Sequence, residues 1–354
     1  MKVLFLPRFG RQGASSRMRS YQYQPWFESA GIESVVSPLF ADDMLLEKYK
    51  VGGYGMWRTL VSYWRRCKVL MSASQFDLAW IEKEALPWWP VWIELWLLRG
   101  VPYVIDFDDA IFHNYDLHRS LFVRRVLGHR IDRLMESAKL VVAGNSYLAG
   151  RAVAAGAKRV EVVPTVVDLA RYSPRTAYPA TDRPRVVWIG SPSTEQYLRE
   201  LAAPLSALAQ RIPFTLRVIG GESVRLPGVD VEPVLWTSGI EAVRISECDV
   251  GIMPLRDSPW EQGKCSYKLI QYMAAGLPTV SSPVGANLDV VVNGETGLFA
   301  ATPDAWVDHL EVLLREAAMR KRLGEAGRAR VEVRYCLQLA APRMVQLLKE
   351  TAGA

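Results

Sequence analysis

A chain of 354 residues, half of them apolar and 23% charged, is long enough for two domains of ordinary size and too apolar to be disordered. Of its net charge of +6, five sit in the N-terminal half, where residues 1–170 hold 22 Lys and Arg against 17 Asp and Glu. That excess suits solubility or an anionic surface, and with no nucleic-acid-binding motif beside it no nucleic acid is expected as a partner. Cys67, Cys248, Cys265 and Cys336 show no CxxC or metal spacing. They read as reduced thiols of a cytoplasmic protein, and MKVLFLPRFG is too short in apolar length for a signal peptide.

In chain order the first half alternates strand and helix signals. Strands are expected at 2–7, 32–38, 76–81, 102–106, 140–143 and 160–164. Helices are expected at 16–31, across much of 45–73, at 88–98 and at 117–137. This alternation argues for a parallel sheet with helices on both faces. The stretch 171–184, RYSPRTAYPATDRP, is rich in Pro and polar residues and reads as a linker. A second α/β set occupies 185–335, with strands at 185–189, 214–219, 231–233, 249–253 and 279–281. Its helices fall at 194–210, 239–247, 267–275 and 306–322, and a last helix lies within 336–354. The first domain is thus 1–170.

Eight of the twelve tryptophans precede residue 100, most densely in LPWWPVWIELWLL, residues 86–98. That run is shorter than the roughly 20 apolar residues of a spanning helix, and Glu94 interrupts it. Two readings stand: a helix buried on the sheet, or an interfacial helix at an anionic membrane surface, where Trp is favoured. The second predicts weak, salt-sensitive association with anionic vesicles at the inner membrane face.

The most informative stretch is 261–285, EQGKCSYKLIQYMAAGLPTVSSPVG. Leu269, Ile270, Met273 and Ala274 fall at helical spacing, Gly276 supplies a stop, and Pro278 prevents continuation. A helix opening after Gly263-Lys264-Cys265-Ser266 presents free N–H groups and a positive dipole end to an anion such as phosphate, and Lys264 and Lys268 add full charges. Ligands of open α/β sheets sit beyond the carboxyl ends of strands, which here carry Gly190-Ser191, Gly220-Gly221-Glu222, Pro254–Asp257 and Ser281-Ser282. Read alone, the segment is equally a helix packed on a sheet beside a solvated basic loop.

The run Tyr272-Met273-Ala274-Ala275-Gly276-Leu277-Pro278, then Gly285, then Asn293-Gly294-Glu295-Thr296-Gly297-Leu298, resembles the donor-site signature of nucleotide-sugar glycosyltransferases, most like the large retaining family four. The resemblance implies two Rossmann-like domains in the GT-B architecture with an interdomain cleft. It also implies a nucleotide diphosphate sugar as donor, no required metal or other cofactor, and a last helix that crosses back to the N-terminal domain. The chain departs from the signature at two positions. Gln271 stands at its second glutamate, which in the family holds the donor ribose, and Gly263 at its first, which contacts the donor sugar. Gln271 still accepts and donates hydrogen bonds, and Glu261 is the substitute expected at the sugar. The Arg and Lys pair usual after the first strand of the domain is missing from Ser191–Glu195, and Lys264 with Lys268 is expected to clamp the pyrophosphate instead.

In the N-terminal half, Arg8–Arg17 resembles the family's glycine loop, with Gly13 facing the ligand and Arg8 or Arg17 meeting an anion. Asp106-Phe107-Asp108-Asp109 closes a strand. Three carboxylates so close admit a DxD-type metal site, an acceptor-orienting or basic role for Asp108, or plain capping of the next segment. His113 is the fallback base. The expectation is a cytoplasmic retaining glycosyltransferase of polysaccharide biosynthesis, with Asp108, Glu261 and Lys268 at the chemistry. Its acceptor is expected to be a glycan, lipid-linked sugar or small molecule. A catalytically idle nucleotide-sugar-binding scaffold and a sugar-nucleotide 2-epimerase are the rival readings.

Overall fold

The computed structural model describes residues 1–221 and 224–353, so Glu222 lies outside the described residues. The chain divides into two compact units. The first comprises Met1–Thr165, Gly263–Cys265 and Ala340–Ala354, and the second Val166–Gln262 and Ser266–Leu339. The Pro-rich stretch 171–184, expected as a linker, is part of the second unit. Tyr172 is buried there, Arg175 donates to the Cys248 carbonyl and the Asp249 carboxylate, and the Tyr178 hydroxyl donates to the Gly276 carbonyl.

The first unit holds β1 (Lys2–Leu6), β2 (Glu33–Val36), β3 (Leu78–Glu82), β4 (Tyr103–Phe107), β5 (Leu140–Ala143) and β6 (Val160–Val162). They form one parallel sheet in the order β2-β1-β3-β4-β5-β6. Its central strands are buried on both faces, which is why Val3–Leu6 and Leu78–Ile81 read as continuous apolar runs rather than alternating ones. The second unit holds β7 (Arg185–Ile189), β8 (Thr215–Ile219), β9 (Asp230–Val234), β10 (Val250–Met253), β11 (Thr279–Ser281) and β12 (Gly297–Phe299), again all parallel, in the order β12-β11-β10-β7-β8-β9. Val186 and Trp188 face one apolar cluster and Val187 and Ile189 the other, as the two-residue period of a strand requires. Pro233 sits in β9, an edge strand, where its missing N–H costs no ladder bond. In each sheet the strand order reverses once, between β1 and β3 and between β7 and β10. Such a switch point opens a crevice at the strand carboxyl ends.

Several long helices of the sequence reading are broken. The expected helix at 16–31 is Ala14–Arg19, a single 3-10 turn and Gln24–Ser29, with Pro25 restarting it at the first turn. The stretch 45–73 is Asp42–Val51, which stops at Gly52 in the left-handed region, and Met56–Met71. The stretch 117–137 is split near Ser120 and Gly128, and 194–210 becomes Glu195–Arg199 and Ala202–Arg211.

Candidate functional site

At the switch point of the first sheet, the end of β3 runs directly into Glu82-Lys83-Glu84, and all three charged side chains are buried. Lys83 has φ +66°, a left-handed backbone that a residue with a side chain rarely adopts and that commonly marks a functional position. Its ammonium lies 2.7 Å from Asp108 Oδ1 and 3.6 Å from Asp109 Oδ2, and donates to Ser15 Oγ at 3.1 Å. Burial alone would lower the Lys83 pKa, but Asp108, Asp109 and Glu82 outweigh it and hold the ammonium well above its ordinary range. Burial likewise pushes Asp108 up, yet Lys83 and the Ser15 hydroxyl win and keep it below the usual carboxylate range. Asp109 moves the other way: burial and the Asp108 charge raise it against Lys83 and Lys264. Two adjacent carboxylates are thus driven apart, one a fixed anion and one readier to carry a proton.

Glu82 is also kept near neutrality. Burial pushes its pKa up to about 7 despite Lys83 beside it, and one carboxylate oxygen has no hydrogen-bond partner among the described residues. Asp106 is paired with Arg19 through two hydrogen bonds, both side chains fully buried. The DxD reading therefore does not hold geometrically: Asp106 faces Arg19 while Asp108 and Asp109 face Lys83. No group of three His, Cys, Asp or Glu side chains converges among the described residues. The His113 ring nitrogens are hydrogen-bonded to Asp116 and to the Tyr147 hydroxyl, each at 2.8 Å. Gly13 caps the helix Ala14–Arg19, and a Cβ there would strike the Phe9 side chain at 2.4 Å. The Arg8 guanidinium lies 3.6 Å from Glu84.

Gly263, Lys264 and Cys265 group with this first unit rather than with the donor helix they precede. The Lys264 carbonyl accepts from Asn145 Nδ2 at 3.0 Å, its ammonium is 4.0 Å from Asp109, and Cys265 Sγ donates to the Asp108 carbonyl. Lys264 is thus set beside Asp109, and Gly263 lies against Ala110 with no room for a Cβ.

The second unit presents the helix Tyr267–Ala274, which opens at Ser266 with φ +53°. Ser266 Oγ is 2.6 Å from Asn287 Oδ1, and Asn287 Nδ2 donates to the Ser282 carbonyl at 2.9 Å, fixing the helix start against the loop after β11. Lys268 on the first turn places its ammonium over the Trp188 ring, 4.5 Å from the centroid. That ring covers Gly190: a Cβ there would meet it at 2.3 Å. Gly190 and Lys268 therefore both pack on the buried Trp188 ring at the end of β7, beside Ser191, whose N–H donates to Thr194 Oγ1. Gly220, at φ +79°, packs its α-carbon against the Gly190 carbonyl.

Tyr272 is fully buried beneath the end of β7. Its ring lies across Gly251 of β10, where a Cβ would collide at 2.3 Å, and its hydroxyl accepts the Ile189 N–H at 2.9 Å. Gln271 is buried and donates to the Tyr172 hydroxyl at 3.0 Å. Glu261 is buried and accepts from Tyr197 at 2.5 Å and from Ser258, so both of its oxygens are engaged. A cleft of about 720 Å³ lined by Leu98, Arg99, Tyr103 and Lys139 adjoins the start of β4, away from the strand carboxyl ends and from these residues.

Sequence reasoning missed Lys83, Glu82, Ser15 and Trp188. The legible signal was a charged triplet, Glu-Lys-Glu, ending a wholly apolar strand; it reads as solvated until the strand is known to be central.

The chain aligns with two solved structures over nearly its whole length. One is a sucrose-phosphate synthase from Thermosynechococcus elongatus, at a TM-score of 0.73 and 16% identity over 99% of this chain and 98% of that one. The other is HepE from Anabaena in complex with UDP and glucose, at 0.73 and 17% over 99% and 100%. The fold is GT-B. Residues 183–316 match the family described as glycosyl transferases group 1, which places the family's pattern on the second unit. A curated relative, the capsular polysaccharide biosynthesis glycosyltransferase CapM of Staphylococcus aureus, is 31% identical over 90 residues. That match covers 24% of this chain and spans 24% of the relative. No helix among the described residues is long and apolar enough to cross a membrane.

Proposed function

We propose that the protein is a retaining glycosyltransferase that moves a sugar from a nucleotide diphosphate donor to an acceptor hydroxyl, in the manner of family four and with no required metal. The observation that carries this reading is the crevice of the second unit. There a helix N-terminus, Lys268 over Trp188, and the backbone of Gly190 meet at a sheet switch point within a segment of group 1 glycosyltransferase pattern. The transition state of such a transfer is oxocarbenium-like, and negative charge builds on the departing phosphate. Lys268 and the free N–H groups of the helix start are suited to hold that charge. Gly190 and Gly220 let the ends of β7 and β8 pack closely beside the nucleotide, Gln271 and Glu261 complete the donor side, and Lys264 balances Asp109. Asp108, kept ionised by Lys83 and Ser15, is the group that orients the acceptor hydroxyl, Asp109 beside it is the carboxylate readier to take the proton, and Lys83 is the positioning residue. The donor class is supported by the UDP and glucose that HepE binds, and a glycan or lipid-linked acceptor by the capsular role of CapM.

The test is a thermal-shift panel of UDP, GDP, TDP and CDP sugars, followed by assay of free nucleotide diphosphate. Release that requires an acceptor supports transfer. Stabilisation by a sugar nucleotide without turnover would instead mark a binding scaffold, the reading favoured by Gln271 and Gly263 where the family carries glutamates. Conversion of the donor sugar itself would mark an epimerase.

A further inference from the structure

The helix Met56–Met71 of the first unit is turned the wrong way for a soluble protein. Ser62, Arg66 and Leu70, four residues apart, form its buried face, and Arg66 donates inward to the Pro7 and Ser37 carbonyls. At about 100° per residue, Trp57, Leu60, Trp64 and Met71 fall in a narrow strip on the opposite side. That strip faces solvent, with Trp57 76% and Trp64 58% exposed. Two further segments do the same. The turn and helix from Trp88 to Leu97 expose Trp88, Trp89, Trp92 and Trp96, and the helix Leu121–Leu127 exposes Leu121, Phe122 and Val126. The buried-helix alternative for the Trp run is thereby corrected.

These segments are joined. The Tyr63 ring of the first helix stacks on Trp89 at 5.8 Å, and the Trp88 ring meets those of Tyr115 and His118 at 5.0 and 5.8 Å, just before the third helix. Trp88 is held at φ +65°, so an exposed aromatic is retained at the cost of backbone strain. An apolar patch of this extent marks an interaction surface.

Its charge says what it meets. Residues 56–76 and 117–131 contain no Asp or Glu, and between 86 and 105 Glu94 alone is acidic and is buried against Arg130. Arg65, Lys68, Arg99, Arg119, Arg124 and Arg125 are exposed and make no ion pair among the described residues. Lys68 lies over the Trp64 ring at 3.7 Å, its charge carried at the edge of the aromatic strip. Trp interleaved with Lys and Arg is the composition of a membrane-interface face, apolar bodies in the acyl boundary and cations among the headgroups. A second copy of this chain would bring two faces of net positive charge together, since Asp43 and Glu47 beside the first helix are both engaged by Arg58, and charge repulsion opposes that.

We propose that this face of the first unit docks on an anionic lipid surface and holds the protein there peripherally. The proposal does not depend on the transfer chemistry. It is tested on the full chain by co-sedimentation with phosphatidylcholine vesicles with and without phosphatidylglycerol, at low and high salt. The expected result is binding to the phosphatidylglycerol vesicles at low salt, weakened at least about tenfold by high salt because surface charges are screened. Two variants at exposed positions, which leave the fold intact, separate the contributions. Trp57→Ser with Trp64→Ser and Phe122→Ser should abolish binding at either salt, and Arg124→Glu with Arg125→Glu should abolish the preference for the anionic lipid. Absence of binding at low ionic strength overturns the proposal. So do equal binding to neutral vesicles, binding untouched by both variants, and self-association through this face without vesicle binding.

Discussion

Lys83 concentrates the first unit's electrostatics in one side chain. It is strained at the backbone, buried, and in contact with two carboxylates whose ionisation it separates. Neighbouring Glu82 gives this cluster a stability signature. With a folded pKa near 7 against an ordinary 4.5, Glu82 is neutral in both states at low pH, so folding is unaffected below about 4.5. As pH rises from 4.5 to 7 the unfolded chain releases this proton and the folded one keeps it, so stability is lost across that window and is constant above it. Glu82→Gln removes the effect. Its stability relative to the natural chain, by denaturant titration, should rise between those pH values and plateau at about 3 kcal/mol, one pKa unit being ~1.4 kcal/mol. A pH-independent difference would show Glu82 ionised in the fold. At the chemistry, Lys268→Ala should weaken nucleotide diphosphate binding by about 1.5–3 kcal/mol by calorimetry, as expected for a charged hydrogen bond; unchanged affinity removes Lys268 from the phosphate. Asp108→Asn should abolish most transfer while leaving that affinity intact, since Asp108 belongs to the other unit. Loss of donor affinity, restored by added Mg²⁺ or Mn²⁺, would favour a metal role instead.

Among the elements, the helix Tyr267–Ala274 shows how a short motif builds a crevice. Gly251 has no side chain so that the Tyr272 ring can cross β10, and the Tyr272 hydroxyl takes the N–H of Ile189, where the β7–β10 pairing has already ended at Val187. Tyr272→Phe leaves that buried N–H unsatisfied. It should destabilise the second unit by about 1–3 kcal/mol, read as faster amide exchange in β7 and β10, whereas a change confined to the first unit's amides would refute the role. This part was legible: apolar spacing, the Gly276 stop, Pro278 and the strand Thr279–Ser281 all lay in one ordered run. The helix breaks were legible in principle, at Pro25 and Gly52, but apolar periodicity continues across them and conceals a break of one or two residues. The helix Met56–Met71 marks a different limit. Periodicity reveals that a helix has two faces, not which one meets the core, and here the polar face is buried on Arg66. Glu82–Glu84 failed for a related reason. Charge after a strand predicts solvent unless the strand's place in the sheet is known, and β3 lies between β1 and β4.

For the molecule as a whole, the chain's path constrains how the two units are built. The first unit is completed by the segment from Ala340 to Ala352, on the helix Leu337–Ala352. Two forces hold that segment, and their magnitudes can be compared. Arg343 pairs with Glu161 at 2.9 Å and Glu350 with Arg159 at 2.6 Å, but all four side chains are a quarter or more exposed. Screening by water and salt weakens both and leaves the Arg343–Glu161 pair about 0–1 kcal/mol. Ala341, Met344, Leu347 and Leu348 are fully buried, and truncating one such Leu to Ala costs about 2–5 kcal/mol through lost transfer energy and the cavity left behind. Packing therefore outweighs charge. Leu347→Ala should lower the unfolding free energy by about 2–5 kcal/mol, with exchange rising in β5 and β6, while Arg343→Ala should change it by no more than ~1 kcal/mol and less at high salt. If Arg343→Ala proved the more damaging of the two, the segment would be anchored by charge and the first unit's stability would follow ionic strength.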